Sequence, residues 1–419
     1  MSVLLVDPFS SGVHYHGLLE EAGLTYHTVR TQRALDSGLS TGEAVPSLVI
    51  DHAVEEDSGD IVRFCRDRGV DAVITGAESG VPLAEALKIR LGLASGAFED
   101  QGRRFWDKPL LYTTVRDAGV RVPEQIGAFT AHDVAAGHHR SVLRTAVFPV
   151  VVKPDVGAGS VGVCVVDTVE QGLEAIESIV STPGFFGGQQ PSAVVQEFVH
   201  GREYVIDTVS HAGDHRVVAV CTYDKHPSSN GTMVYDRLRW LDWESSETAT
   251  LTAYALGVLQ ALDHREGSVH MEAILDEDGP CLIDLGARPH GAGHPLKTHT
   301  LTGSSQLHAE VAAAAGWEAP AQTGYRLGAH AAIEFLSLDK PAKVRRDANP
   351  TEILDQDFVL SGEVPARPGT TYPETHSLLD SEALGLVFVS GTDDEDVMAN
   401  ALRLRRSFDS MLEEVDHAH

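Results

Sequence analysis

The sequence predicts a multidomain chain of mixed α/β and α+β class, and three observations predict it. Its 419 residues exceed one typical domain and suit two or three. Residues 1 to about 100 alternate strand-like and helix-like segments, as a parallel α/β domain does. Beyond residue 107, apolar runs of strand length recur between turn residues. A hydrophobic content of 42 % is ample for several cores.

The opening Met1-Ser-Val-Leu-Leu-Val-Asp-Pro8 is too short and too acidic for a signal peptide and reads as a first buried strand. Ser10-Ser-Gly12 then turns into a helix, and these residues are within reach of a cleft. Val70–Gly76 reads as a second strand and Val81–Leu91 as an amphipathic helix. A helix is expected over Leu110–Ala118, with Gly119–Pro123 starting the next strand. Phe148–Pro154 is a strongly apolar strand, and another is expected over Val161–Val166. Ala193–Ser210 reads as strand, Gly-containing bend and strand. In the tail, Leu327–Leu338, Phe358–Pro365 and Leu384–Ser390 are β-rich runs. A last helix is expected over Glu395–Val415, with apolar spacing through Val397, Leu402, Leu404, Phe408 and Leu412. His417-Ala-His419 reads as a frayed terminus.

The net charge of −29 argues against nucleic acid or an anionic membrane as partner. No apolar run approaches the roughly 20 residues that span a bilayer. Cys65, Cys164, Cys221 and Cys281 are widely spaced in apolar stretches, which suits buried free thiols in a reducing cytoplasm. A cytoplasmic protein is expected.

The chemistry concentrates in three places. Glu272 and Asp284 flank the turn residues Asp276-Glu277-Asp278-Gly279, and both flanks alternate like strands. A hairpin centred near residue 278 sets the two carboxylates directly opposite, with Cβ atoms roughly 4.5–5.5 Å apart, and alternation puts Arg288 on their face. Opposed like charges destabilise a sheet unless neutralised, and Mg²⁺ prefers such oxygens; a solvated acidic hairpin is the plain alternative. Lys153, one of seven lysines, closes the Phe148–Pro154 strand just ahead of Val156-Gly-Ala-Gly-Ser-Val-Gly-Val163. Small residues let backbone N–H groups approach an anion, and the ammonium adds a point charge; an ordinary hairpin fits equally. The lysine precedes the glycines and a strand follows, so this is neither a Gly-x4-Gly-Lys loop nor a dinucleotide fingerprint. The third place is Gln196-Glu-Phe-Val-His-Gly-Arg-Glu203, in the strand–bend–strand.

In this order the parts resemble the ATP-grasp superfamily, in particular its carboxylate–amine ligases such as L-amino acid (dipeptide) ligases. The resemblance runs from about Asp107 to Gly303 and rests on Asp107-Lys108, Lys-Pro with its Gly-Ser-x-Gly-Val loop, Gln-Glu-Phe-Val-x-Gly-x-Glu and Glu272…Asp284…Arg288. It implies a pre-ATP-grasp, Rossmann-like domain over 1–106 and a small lobe with adenine hinge over 107–210, its central domain at about 120–200. A large lobe with the metal hairpin over 211–323 and a β-rich subdomain over 324–419 complete the expected layout.

By resemblance, Lys108 and Lys153 hold the α- and β-phosphates of ATP, while Gly157, Gly159, Ser160 and Gly162 close over the β- and γ-phosphates. Gln196, Glu197 and Val199 line the adenine slot with Phe198 in support, and Glu203 accepts from the ribose hydroxyls. Glu272 and Asp284 bind Mg²⁺, with Mn²⁺ able to substitute, and Arg288 faces an acyl phosphate. The implied reaction joins a carboxylate, expected to be an amino acid, to an amine, expected to be a second amino acid. A homodimer is common among such ligases. The alternatives are a carboxylase using bicarbonate and a catalytically degraded nucleotide-binding protein.

One position departs from the family pattern: Gly286 stands where acidic-x-Asn-x-Arg is usual, which puts the number of metal ions in question. His290, His294, Lys297, His299 and Ser304 follow Arg288 on a Gly-rich stretch and are the candidates for contacting substrate. Lys225, in a polar loop ahead of Asn230-Gly231, either helps neutralise phosphate or substrate carboxylate or is a plain surface lysine.

Overall fold

The computed structural model describes residues 1–37, 48–50, 59–93, 100–157, 159–185, 191–316 and 324–415; the terminal His417–His419 lies outside them. Strands β1 (Ser2–Val6), β2 (Thr25–Thr31), β3 (Leu48–Ile50) and β4 (Val70–Thr75) form a parallel sheet in the order β3-β2-β1-β4. Helix α1 (Tyr15–Glu21) lies on one face, with Tyr15 and Leu19 against Val3 and Leu5. Helices α2 (Gly59–Asp67) and α3 (Val81–Arg90) cover the other, packing Ile61, Leu83 and Leu87 against Leu4 and Val6. Both faces of β1 are buried, so it reads as a continuous apolar run.

Helix α4 (Lys108–Asp117) starts two residues earlier than expected, because the Asp107 carboxylate accepts from the Leu110 N–H at 3.1 Å as N-cap. Lys108 is thereby fixed at the helix start. The strand expected from Gly119 begins only at Gln125. Before it, Val120 and Val122 pack on the main core and Tyr254 donates its hydroxyl to the Arg121 carbonyl, which keeps this stretch out of the ladder.

Strands β5 (Gln125–Phe129), β6 (Val150–Pro154), β7 (Cys164–Val166) and β8 (Ala193–Glu197) make an antiparallel sheet ordered β5-β8-β6-β7. Helix α5 (Val169–Ser181) buries Ile176 and Ile179 on Val150, Val152 and Val195. β7 is shorter than the Val161–Val166 run, since Ser160 and Gly162 hold positive φ of 60° and 75° and bend the chain out of the ladder.

Strands β9 (Arg202–His211), β10 (Asp214–Pro227), β11 (Met233–Trp240), β12 (Gly267–Asp276), β13 (Gly279–Gly286) and β14 (His330–Phe335) belong to one antiparallel sheet. β15 (Ala342–Val344), β16 (Val359–Glu363), β17 (Thr371–Tyr372), β18 (Leu386–Gly391) and β19 (Leu412–Glu414) follow. The large sheet runs β13-β12-β9-β10-β11-β14-β18-β16, and β17-β15-β19 form a satellite. Beyond residue 324, β14, β16 and β18 thus continue the same sheet. Helix α6 (Ser246–Ala261) packs Leu251, Val258 and Leu259 against Ile206, Val220 and Met271, with α4 alongside.

Helices α7 (His294–Thr302) and α8 (Gln306–Ala314) follow the β12–β13 hairpin. Leu307, Val311 and Ala314 of α8 join the cluster around Val3 and Leu5, and Tyr15 donates its hydroxyl to Glu310. Helix α9 (Leu378–Leu384) precedes β18, and α10 (Asp394–Asp409) ends the chain's helical part. The expected continuation of α10 to Val415 is not seen: Leu412 pairs with Val344 in β19–β15 instead.

Candidate active site

A cleft of about 1110 Å³ lies between the small sheet, the β12–β13 end of the large sheet and the first loops of the parallel domain. Its floor is the β12–β13 hairpin. Asp276 pairs with Gly279 at the tip and Glu272 directly with Asp284. Arg121 grips the Asp276 carboxylate with two nitrogens at 2.6 and 2.8 Å, and Gly279 takes a φ of 100°. Continued at the Asp276–Gly279 register, the ladder would set Ile283 opposite Glu272. A shift of one residue between Glu272 and Ala273 brings Asp284 across instead, so pinned turn and bulge together set the site.

Asp284 Oδ1 accepts from Lys108 Nζ at 2.6 Å. Glu272 Oε1 lies 3.5 Å from His270 Nε2, whose Nδ1 is 2.9 Å from Asp207 Oδ1. Burial by itself would raise the Glu272 carboxyl, but the hydrogen bond and charge of His270 hold it at about 2. Burial likewise opposes charge on His270, and its bonds to Asp207 and Glu272 lift it to about 9.

Lys153, on β6, is buried and donates to the Tyr112 hydroxyl and the Ile283 carbonyl, both at 2.8 Å. Burial brings its ammonium down to about 8. For Lys108 burial works the same way, but the charge of Asp284 outweighs it and the ammonium is stabilised. Because the folded-state pKa of Lys153 lies below its ordinary value, the ammonium is fully present only below about pH 8 and is lost as pH rises through it. An anionic phosphate favours the charged form. ATP affinity measured by calorimetry is therefore expected to fall above pH 8 with a limiting slope of about tenfold per unit. Lys153→Met should bind more weakly at pH 7 and lose that slope.

Arg288 lies just past β13 and donates from Nε to Glu78 Oε2 at 2.8 Å. Glu78 comes from a short turn of the parallel domain ahead of α3. This pair explains Gly286: a Cβ there would sit 2.6 Å from Glu78 Oε2 and 3.3 Å from Arg288 Nε. An asparagine at this place would have to push the ends of the Glu78 and Arg288 side chains aside. Gly286→Asn is expected to displace the pair and lower turnover about 10²-fold, as a misplacement of about 1 Å does. Adding Glu78→Ala should restore part of the loss; a Gly286→Asn single variant with full turnover would refute the steric account.

Gly157, Gly159 and Ser160 line the cleft from the side of the small sheet, and Ser160 Oγ is 2.9 Å from the Tyr235 hydroxyl. Gly162 does not line it, since the chain there turns back against Pro154. Gln196, Glu197, Phe198 and Val199 form a wall at the end of β8. Gln196 Nε2 is buried without a hydrogen-bond partner, a donor that suits an acceptor on a ligand. Glu203 lines the cleft with its carboxylate on Lys225 Nζ at 2.6 Å, and that ammonium stands 3.8 Å from the Tyr235 ring centre.

His290, His294 and Lys297 also line the cleft. Ser10 and Ser11 reach it as well, and their hydroxyls accept from the Ala292 and Gly293 N–H groups. Two candidates fall outside it. His299 points from α7 to α8 and stacks on His308 with ring centres 3.6 Å apart. Ser304 sits in the α7–α8 turn, where its carbonyl accepts from Thr302. On one helix only His294, Leu296, Lys297 and Thr300 present the cleft-facing side.

Sequence reasoning missed Glu78, Tyr112, Asp207 and His270. His270 had a local signal, because it stands two residues before Glu272 on the same strand face.

Opposed carboxylates, two ammonium groups, a glycine-bearing loop and an orphaned donor suit a nucleotide triphosphate with a hard divalent cation. Residues 105–292 match the family model described as ATP-grasp domain. The chain carries an ATP-grasp domain. Over 395 residues it is 26 % identical to dapdiamide A synthase of Enterobacter agglomerans, covering 90 % of this chain and 89 % of that one. Likeness of fold extends through the whole chain. An L-amino acid ligase from Bacillus licheniformis superposes with a TM-score of 0.73 at 19 % identity, over 99 % of this chain and 98 % of that one. A carboxyaminoimidazole ribonucleotide synthase of Aspergillus clavatus, solved with ATP, gives 0.69 at 13 %, over 98 % of each chain. No helix among the described residues is long and apolar enough to cross a membrane.

Proposed function

We propose that this chain is an ADP-forming carbon–nitrogen ligase that joins the carboxylate of one amino acid to the amine of another. The observation that carries this reading is the convergence of Glu272, Asp284, Lys108, Lys153 and Arg288 on one cleft. Similarity to dapdiamide A synthase over nearly the full length of both chains supports it.

Glu272 and Asp284 would hold Mg²⁺, or Mn²⁺ in its place, and the ion supplies charge neutralisation for phosphates. Lys153 and Lys108 place ammonium groups beside the transferred phosphoryl group, where little covalent help is needed. The substrate carboxylate takes the γ-phosphoryl group, giving an acyl phosphate and ADP. Arg288 then faces the carbonyl oxygen as the amine adds and phosphate leaves. Gly157, Gly159 and Ser160 shield the acyl phosphate from water. Glu203, held by Lys225, accepts from the ribose, and Gln196–Val199 hold the base.

The test is ADP and phosphate release over all pairs of proteinogenic amino acids, with a bicarbonate arm. Turnover that requires an amino-acid pair supports the reading. Tight ATP binding with no turnover for any pair, or turnover that requires bicarbonate, would sink it.

A further inference from the structure

Beneath the reacting end of the cleft, three imidazoles from three segments converge on one carboxylate. Asp207 of β9 is fully buried; its Oδ1 lies 2.9 Å from His270 Nδ1, and its Oδ2 lies 3.0 Å from His290 Nδ1 and 3.4 Å from His294 Nδ1. The second nitrogens differ. His270 Nε2 meets Glu272, and His294 Nε2 meets Cys221 Sγ at 3.6 Å while its ring stacks on Trp240. His290 Nε2 meets neither a carboxylate nor a thiol but the hydroxyl of Tyr223 at 3.3 Å, and both residues line the cleft. Its backbone is fixed too, since the His290 N–H donates to Gln306 Oε1 at 2.8 Å.

We propose that His290 is the base that takes the proton of the incoming amine, with Asp207 aiming its imidazole. The assignment rests on the ligase reading above. A carboxylate that accepts from Nδ1–H selects the tautomer whose Nε2 carries a lone pair. Arg288 stands two residues away, so base and oxyanion donor share one short segment. The charged or titratable groups facing His290 are Asp207, His270, His294, Tyr223, Arg288 and, further off, Glu272. Burial, then the charge of His270, hold its imidazole below the ordinary range and uncharged, ready to accept. An anionic acyl phosphate in the cleft works in the opposite sense, so the base strengthens once the electrophile is formed.

The protons balance. An ammonium substrate carries three: one moves to His290 Nε2, freeing the lone pair that forms the C–N bond. As the C–O bond to phosphate breaks, its electron pair leaves with phosphate, which carries off the second proton. The third stays on the amide nitrogen, and His290 releases its proton to solvent.

The experiment compares two nucleophiles on the full chain, with each amino acid supplied singly or in pairs as acid donor. Hydroxylamine is uncharged at neutral pH and needs no base, whereas an α-ammonium group is mostly protonated there. In His290→Asn and His290→Gln, ATP-dependent hydroxamate formation should stay within about threefold of wild type. Amide formation at pH 7 should fall about 10²–10⁴-fold, the usual span for a lost general base. It should also recover by about tenfold per unit as pH rises toward the amine's own pKa. Equal losses with both nucleophiles in both variants would make the role structural, and undiminished amide formation would remove His290 from the reaction; either overturns the proposal. So would one equivalent of zinc copurifying with the wild type and lost in His290→Asn, because Asp207, His290 and His294 would then be metal ligands. Wild-type protein giving no hydroxamate with any amino acid would overturn the ligase reading itself, and the base with it.

Discussion

Asp284→Asn is expected to abolish nearly all ADP formation, by about 10³-fold or more, while leaving the protein folded. The carboxylate sits opposite Glu272 in register and accepts from Lys108 at 2.6 Å. The amide keeps the size and one acceptor oxygen, so Lys108 retains a hydrogen bond. It removes the negative charge that a divalent cation needs, and the stabilisation such an ion gives a phosphoryl oxygen is worth several kcal/mol. Steady-state ADP release across a Mg²⁺ titration reads the effect. Raised Mg²⁺ should recover a part of the rate. Far-ultraviolet circular dichroism and the melting temperature should match the wild type. A variant turning over at the parent rate would remove Asp284 from the metal site and with it the register argument.

Arg288→Ala is expected to spare nucleotide binding and suppress product. Losing one donor to a developing oxyanion commonly costs about 10²–10³ in rate, or about 2.7–4 kcal/mol. Its guanidinium is held by Glu78 from another domain and lies next to the segment bearing His290. On the proposed function it faces the acyl centre, while Lys108 and Lys153 serve the phosphates. Calorimetric ATP affinity within about threefold of wild type, with amide formation down by two to three decades, is the expected pair of results. A collapse of ATP affinity would instead assign Arg288 to the triphosphate.

The parts of this site that were legible in the sequence are the ones fixed by short-range rules. The turn residues Asp276–Gly279 mark the hairpin that carries Glu272 and Asp284. Its register from Asp276 and Gly279 would oppose Ile283 to Glu272, and a bulge beside Glu272, with no turn signal of its own, brings Asp284 across. Lys153 at the end of an apolar strand, ahead of glycines, was readable for the same reason. Tyr112, which holds Lys153, and Glu78, which holds Arg288, were not: 41 and 210 residues separate these partners, and no local pattern links them. Position on a helix face decided the substrate segment. His294 and Lys297 turn to the cleft, while His299 is drawn off by His308, a partner that becomes visible only once α7 and α8 are folded together. The strand expected at Gly119 failed similarly, because Tyr254, more than a hundred residues on, captures the Arg121 carbonyl.

The packing of Leu307, Val311 and Ala314 onto Val3, Leu5, Tyr15 and Leu19 ties the first and last thirds of the chain together. Cut at residue 105, the remainder would bare that helix face to water, and the severed leading segment would lose the cover of half its sheet. During synthesis the Val3–Leu5 face of the opening sheet therefore gains its full cover only after residues 307–314 have emerged.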